Sequence, residues 1–125
     1  MPRISRIFLL VAMLSAVSMA TGARADVFEA VRLPLTKLDL QKMTVAAQPL
    51  LDDDLLPVGT KRAWFNIRSG NHGLIRLLGR FEYEHRGSKL SCRSLLYQVK
   101  LLPPPDIYNL LINRCKVADG SWKSF

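Results

Sequence analysis

The sequence predicts a mainly β protein, a small antiparallel meander of four to five strands with a short N-terminal amphipathic helix and one disulfide. Three observations carry this expectation. Beyond Gly59 the apolar residues change from helical to alternating spacing. The alternating runs are separated by short clusters of Gly, Asn, Ser or Pro, which suits antiparallel neighbours joined in order. The only two cysteines, Cys92 and Cys115, both fall in this part of the chain.

The N-terminal residues explain why those cysteines should pair. Arg3 and Arg6 precede an uncharged apolar run over residues 7–14, and small residues follow as far as Ala23-Arg24-Ala25. This is the pattern of a cleaved secretory signal at residues 1–25, with Ser18-Met19-Ala20 as an alternative cleavage motif. The apolar run is shorter than the ~20 residues a helix needs to cross a bilayer, so the processed chain is expected to carry no transmembrane span. Export places the protein in the periplasm or cell envelope, where an oxidising milieu favours a bond between Cys92 and Cys115. The expected organisation is therefore signal (1–25), arm and helix (26–58), and a disulfide-braced β domain (59–125).

Residues 26–35 show no clear period and read as a loosely docked arm. Thr36 stands three residues before Asp39, a capping-box arrangement, and Leu40, Met43, Ala47 and Leu50 follow at helical spacing. A helix over residues 37–47 is expected, with Pro49 ending it. Met43 on that stripe reads as packing rather than as a ligand. Asp52-Asp53-Asp54 reads as a solvated connection, because consecutive acids point in different directions and a calcium loop needs spaced ligands.

The strands follow in turn. Residues 63–68 alternate with Phe65 and Ile67 on one face and Trp64, Asn66 and Arg68 on the other; residues 70–73 (Gly-Asn-His-Gly) form the turn. Residues 74–85 make the second strand, broken near Gly79, with Phe81, Tyr83 and His85 alternating with Glu82 and Glu84. After a turn at residues 86–89, the third strand (90–102) sets Leu95, Tyr97, Val99 and Leu101 against Cys92, Leu96 and Lys100. Pro103-Pro104-Pro105 cannot lie within a sheet and is an extended connection. A fourth strand (107–117) and a turn at Asp119-Gly120 lead to a short fifth near Trp122.

The chain has 18 basic and 10 acidic residues, a formal charge of +8. Loss of Arg3, Arg6 and Arg24 with the signal leaves +5. That surplus lies beyond residue 57, with 12 basic against 4 acidic residues. Extra surface cations serve solubility, and they also attract anionic envelope lipid or glycan. Arg68, Arg76, Arg80 and Arg93, if they share a face, are the candidate anion-binding residues, since guanidinium groups bind phosphate with bidentate geometry.

Other chemistry finds little support. Glu82 and Glu84 share a strand face but have no accompanying nucleophile or oxyanion loop, and His85 reads as an ordinary strand histidine. His72 and His85 lack the paired spacing of zinc ligands, and the cysteines are too far apart in sequence for a C-x-x-C redox motif. The spacing Gly70 to Gly73 matches a G-x-x-G backbone clamp, yet that motif joins helices rather than strands. No enzyme activity, metal, cofactor or nucleic-acid partner is expected. An Arg93–Asp119 ion pair beside the disulfide is expected instead.

Trp64, Asn66, Ser69-Gly70-Asn71 and Gly73, then Phe81, Tyr83, Cys92-Arg93, Cys115 and Asp119-Gly120-Ser121-Trp122-Lys123, together resemble the C-terminal domain of the rickettsial-type (seventeen-kilodalton) surface antigens. The resemblance covers residues 59–123. Departures are Ile67 where the family commonly has Pro, His72 where it has Ser, and Arg114-Cys115-Lys116 in place of Ala-Cys-Arg. The lipid-bearing cysteine and Gly-rich segment of many relatives are missing. The resemblance implies a non-enzymatic, surface-antigen-like envelope protein. The alternative is a periplasmic inhibitor of a hydrolase, for which the positive charge here requires an acidic target.

Overall fold

A computed structural model describes residues 33–103 and 106–125. The leader expected at residues 1–25, most of the arm and Pro104-Pro105 lie outside the described residues. Helix α1 (Lys37–Asp52) is followed by strands β1 (Lys61–Phe65), β2 (His72–His85), β3 (Ser88–Leu101), β4 (Asp106–Lys116) and β5 (Trp122–Ser124). The strands form one antiparallel sheet in sequence order, β1-β2-β3-β4-β5, as the short connections require. Cys92 and Cys115 face each other across β3 and β4 and are bonded.

The helix begins with the expected capping box. Thr36 Oγ1 accepts from the Asp39 amide at 3.1 Å, and Asp39 Oδ2 accepts from the Thr36 amide at 2.8 Å. Pro49 does not stop it. Because Val45 and Pro49 are both exposed, the carbonyl that loses its amide partner faces water, and the helix continues to Asp52 before the Asp53 amide closes on the Pro49 carbonyl.

Helix α1 packs on β1 and β2. Its buried stripe, Met43, Ala47, Leu50 and Leu51, meets the inward side of the sheet, where Trp64, Ile75, Leu77, Leu95, Tyr97, Val99, Leu101 and Ile112 are buried. Each fully buried aliphatic side chain of this kind contributes about 1.5–3 kcal/mol. The inward set on β3 is the one the alternation predicts.

Strand β1 ends earlier than the pattern suggests. Asn66 keeps the parity of a buried strand residue, but its carboxamide oxygen accepts from the Arg68 amide at 3.0 Å and starts a turn. Asn66 and Asn71 backbones then close the loop, and His72 and Gly73 join β2 rather than the turn. At the other end of β2, Arg86 (φ 50°) and Gly87 (φ 78°) form a two-residue connection with both residues left-handed, the form that matches hairpin twist.

The break expected near Gly79 is a β-bulge: Leu77 pairs with Leu95 and Gly79 with Ser94, leaving Leu78 as the extra residue. Its consequence is a change of side. Ile75 and Leu77 point to the helix, but Phe81, Tyr83 and His85 register with the outward Cys92 side, and Arg80 turns inward beside Arg93.

Candidate functional site

Asn66, Ser69, Asn71 and Gly73 build a support rather than a binding site. Asp39 is fully buried beneath the β1–β2 loop. Its Oδ1 accepts from Asn66 Nδ2 and from Ser69 Oγ, both at 2.7 Å; its Oδ2 accepts from Asn71 Nδ2 at 2.9 Å and from the Thr36 amide. Asn71 Oδ1 in turn accepts from the Leu102 amide at 3.0 Å, tying in the end of β3. Burial raises the Asp39 carboxyl pKa, and the hydrogen bonds from Ser69, Thr36, Asn71 and Asn66 together outweigh it, so the group stays ionised below the usual carboxylate range. Gly73 belongs to the same construction: a Cβ there would lie 1.8 Å from the Gln98 carbonyl oxygen and 2.8 Å from Trp64 Nε1.

The acidic run is likewise engaged rather than simply solvated. Arg93 Nη2 donates to Asp54 at 2.6 Å, in place of the expected partner Asp119, and its guanidinium lies 5.3 Å over the Trp122 ring. Trp122 Nε1 donates to Asp52 at 2.9 Å, and Gln48 also donates to that carboxylate. The hydrogen bonds from Gln48 first and Trp122 second, with Lys116 nearby, outweigh burial and hold Asp52 below the ordinary carboxylate range. Asp119 accepts from the Ser121 hydroxyl and amide within its own turn. Arg80 Nη2 donates to the Asp53 and Leu56 carbonyls at 3.2 and 2.5 Å.

Of the four candidate arginines, Arg80 and Arg93 are therefore paired in register on the inward side and occupied by the chain's own carbonyls and Asp54. Arg76 lies on the outward side and Arg68 in the exposed β1–β2 loop. The structure does not bring the four together in one cradle. Glu82 and Glu84 fall on the inward parity and His85 on the outward one, with His72 at the far end of β2. Among the described residues, no group of three or more His, Cys, Asp or Glu side chains could hold a metal ion. No described helix is long and apolar enough to cross a membrane.

Arg76 leads to a site that sequence reasoning missed, because it forms from register. The outward face is organised in rows across the strands: Phe65-His72-Lys100-Ile107, then Ala63-Leu74-Gln98-Asn109, then Lys61-Arg76-Leu96-Leu111. Farther along, Phe81, Cys92, Cys115 and Lys123 form another row. Tyr83, His85 and Phe125 cluster beyond it, with Phe125 5.1 Å from His85 and 5.7 Å from Tyr83 between ring centres. None of the outward strand positions is acidic, and four are basic: Lys61, Arg76, Lys100 and Lys123.

The apolar side chains between them are open to solvent. Phe65 is 56%, Ile107 57% and Leu111 64% exposed, values that mark an uncovered sheet face rather than a second core. A groove of about 550 Å³ runs over the first two rows, lined by Ala63, Phe65, His72, Leu74, Lys100 and Ile107 among others. It adjoins a smaller depression of about 270 Å³ at Lys61, Arg76, Leu96 and Asn109, and the two share Leu74 and Gln98. Alternation alone shows which residues share a side of one strand, and only the pairing register sets Lys61 beside Arg76.

Comparison with protein-family models, with curated proteins and with solved structures found no match.

Proposed function

We propose that this is a non-enzymatic, surface-antigen-like protein of the bacterial cell envelope, exported by a cleaved signal, whose outward sheet face binds an anionic amphiphilic component of that envelope. The observation that carries the reading is a face combining exposed apolar side chains with Lys61, Arg76, Lys100 and Lys123 and no acid on any outward strand position. Such a face offers contact to acyl chains and attraction to phosphate or carboxylate head groups at once. The disulfide agrees with an oxidising compartment. Arg76 keeps the anion-binding role expected of it, while Lys61 and Lys100 take the places of Arg80 and Arg93.

The test is co-sedimentation of the oxidised mature protein with vesicles of phosphatidylcholine alone or mixed with phosphatidylglycerol. Binding to the anionic vesicles should dominate and should weaken as salt rises, because surface attraction is screened within about 10 Å at 0.1 M. Equal binding to both vesicle types, or none to either, would refute the reading.

A further inference from the structure

The outward face contains two features that, taken together, specify how a ligand would lie on it. The first is electrostatic. Lys61 and Arg76 are directly opposite each other in the β1–β2 ladder, and both are exposed. Like charges in that position destabilise a sheet, and among the described residues no acid on this face offsets them. An anion lying between the two side chains would turn that repulsion into a pair of charge-assisted hydrogen bonds, one of them from a guanidinium suited to phosphate.

The second feature is shape. The cationic depression opens at Leu74 and Gln98 into the larger groove, whose walls include Phe65, Leu74 and Ile107. Its floor includes Ala63, the smallest side chain in the outward rows of β1. Alternate residues of a strand are about 6.7 Å apart, so the row of Phe65 lies about 13 Å from the row of Lys61. The groove crosses from β1 to β4, and its volume falls within the roughly 300–1,000 Å³ of sites that enclose one small ligand. A flat bilayer surface has no need of such a groove, whereas a single chain attached to a charged head would fill both parts.

We infer that the face takes one lipid molecule at a time, with its anionic head between Lys61 and Arg76 and one acyl chain along the Ala63-Phe65-Leu74-Ile107 groove. This rests on the proposed anionic-amphiphile reading and narrows it from a membrane surface to a lipid monomer. Lys100, at the apolar end, stands beside Ile107 and His72 and is not part of the head-group pair.

The experiment is titration of the oxidised mature protein with fluorescent monoacyl phosphatidylglycerol below its aggregation concentration. Monoacyl phosphatidylcholine and glycerol 3-phosphate serve as comparisons. The expected result is one site, at least tenfold tighter for the anionic lipid than for the zwitterionic one, with affinity rising with chain length and little binding of glycerol 3-phosphate. Lys61→Gln with Arg76→Gln should weaken it at least tenfold. Ala63→Trp should also weaken it at least tenfold by filling the groove. Unfolding midpoints check that the variants fold, and the chain-length series on the unaltered protein needs no variant. Anionic-vesicle binding without saturable monomer binding, or monomer affinity independent of chain length, would overturn the inference and leave the broader reading standing. Failure to bind either monomer or vesicle would overturn both.

Discussion

Replacing Asp39 with Ala should cost this protein much of its stability, although the residue touches neither the disulfide nor the outward face. The carboxylate accepts four hydrogen bonds, and two of the donors, Asn66 Nδ2 and Asn71 Nδ2, belong to side chains that are themselves buried. Ser69 Oγ can reorient, and the Thr36 amide at the helix start can reach water, so these two lose less. Asn71 Nδ2 is then left without a partner and Asn66 Nδ2 with only the Thr36 hydroxyl at 3.4 Å, at a cost of about 1–3 kcal/mol each. With the weaker losses added, the expected change is about 3–5 kcal/mol, against a total of about 5–15 kcal/mol for a small domain. Urea unfolding followed by tryptophan fluorescence, with the disulfide intact, would read this as a midpoint lowered by about 1–5 M at slopes of about 1–3 kcal/mol/M. Asp39→Asn keeps the shape but turns one acceptor into a donor aimed at donors, and should cost nearly as much. A loss below about 1 kcal/mol for Asp39→Ala would refute the view that this carboxylate holds the helix to the loop.

The same group sets an acid limb. Its folded pKa is below the unfolded value of about 3.9, so its contribution is fully present above that value and disappears as pH falls through the folded one; midpoints measured from pH 6 to pH 2 should fall less steeply in Asp39→Ala than in the unaltered chain. Reduction of the bond between Cys92 and Cys115, separated by 23 positions, should lower stability by about 3 kcal/mol, measured by urea unfolding with and without reductant. Gly73→Ala should prevent normal pairing of β2 with β3, since its Cβ would overlap the Gln98 carbonyl; circular dichroism and an unfolding free energy lowered by more than about 2 kcal/mol would register it. Asp54→Ala should cost only about 1 kcal/mol, because Arg93 keeps Ser91, the Cys92 carbonyl and the Trp122 ring, whereas Arg93→Ala should cost more by removing a buried side chain that joins β3 to β5 and the end of α1.

The strand order, the disulfide and the parity of β3 were legible because each follows from a local signal: turn residues, cysteine count and period two. Element ends were less so. Pro49 is a strong local signal against helix, but its cost depends on whether the freed Val45 carbonyl faces protein or water, which only the docking of α1 decides. Asn66 fits the alternation of β1, yet its side chain is needed by Asp39, twenty-seven positions away, and by the turn that follows. The role of Asp52-Asp53-Asp54 was hidden for the same reason. Its partners, Trp122, Arg80 and Arg93, lie on three different strands.

The arginines show why a basic surplus does not by itself locate an anion site. Arg80 and Arg93 reach the same side only because Leu78 is an extra residue; without the bulge, Arg80 would stand outward with Arg76 and Leu74. The bulge thus divides one strand's cations between two tasks. Inward, Arg80 and Arg93 hold the carbonyls and acid at the end of α1, where burial and fixed partners leave little freedom to exchange them for a ligand. Outward, Arg76 meets Lys61 with no acid on its face among the described residues. The bulge also turns Phe81, Tyr83 and His85 outward, adding aromatic area to the face that already carries the unpaired charge. Deleting Leu78 removes the extra residue itself, so Gly79, Arg80 and Phe81 would keep their places opposite Ser94, Arg93 and Cys92, and the division of charge between the two sides should survive the loss of the bulge.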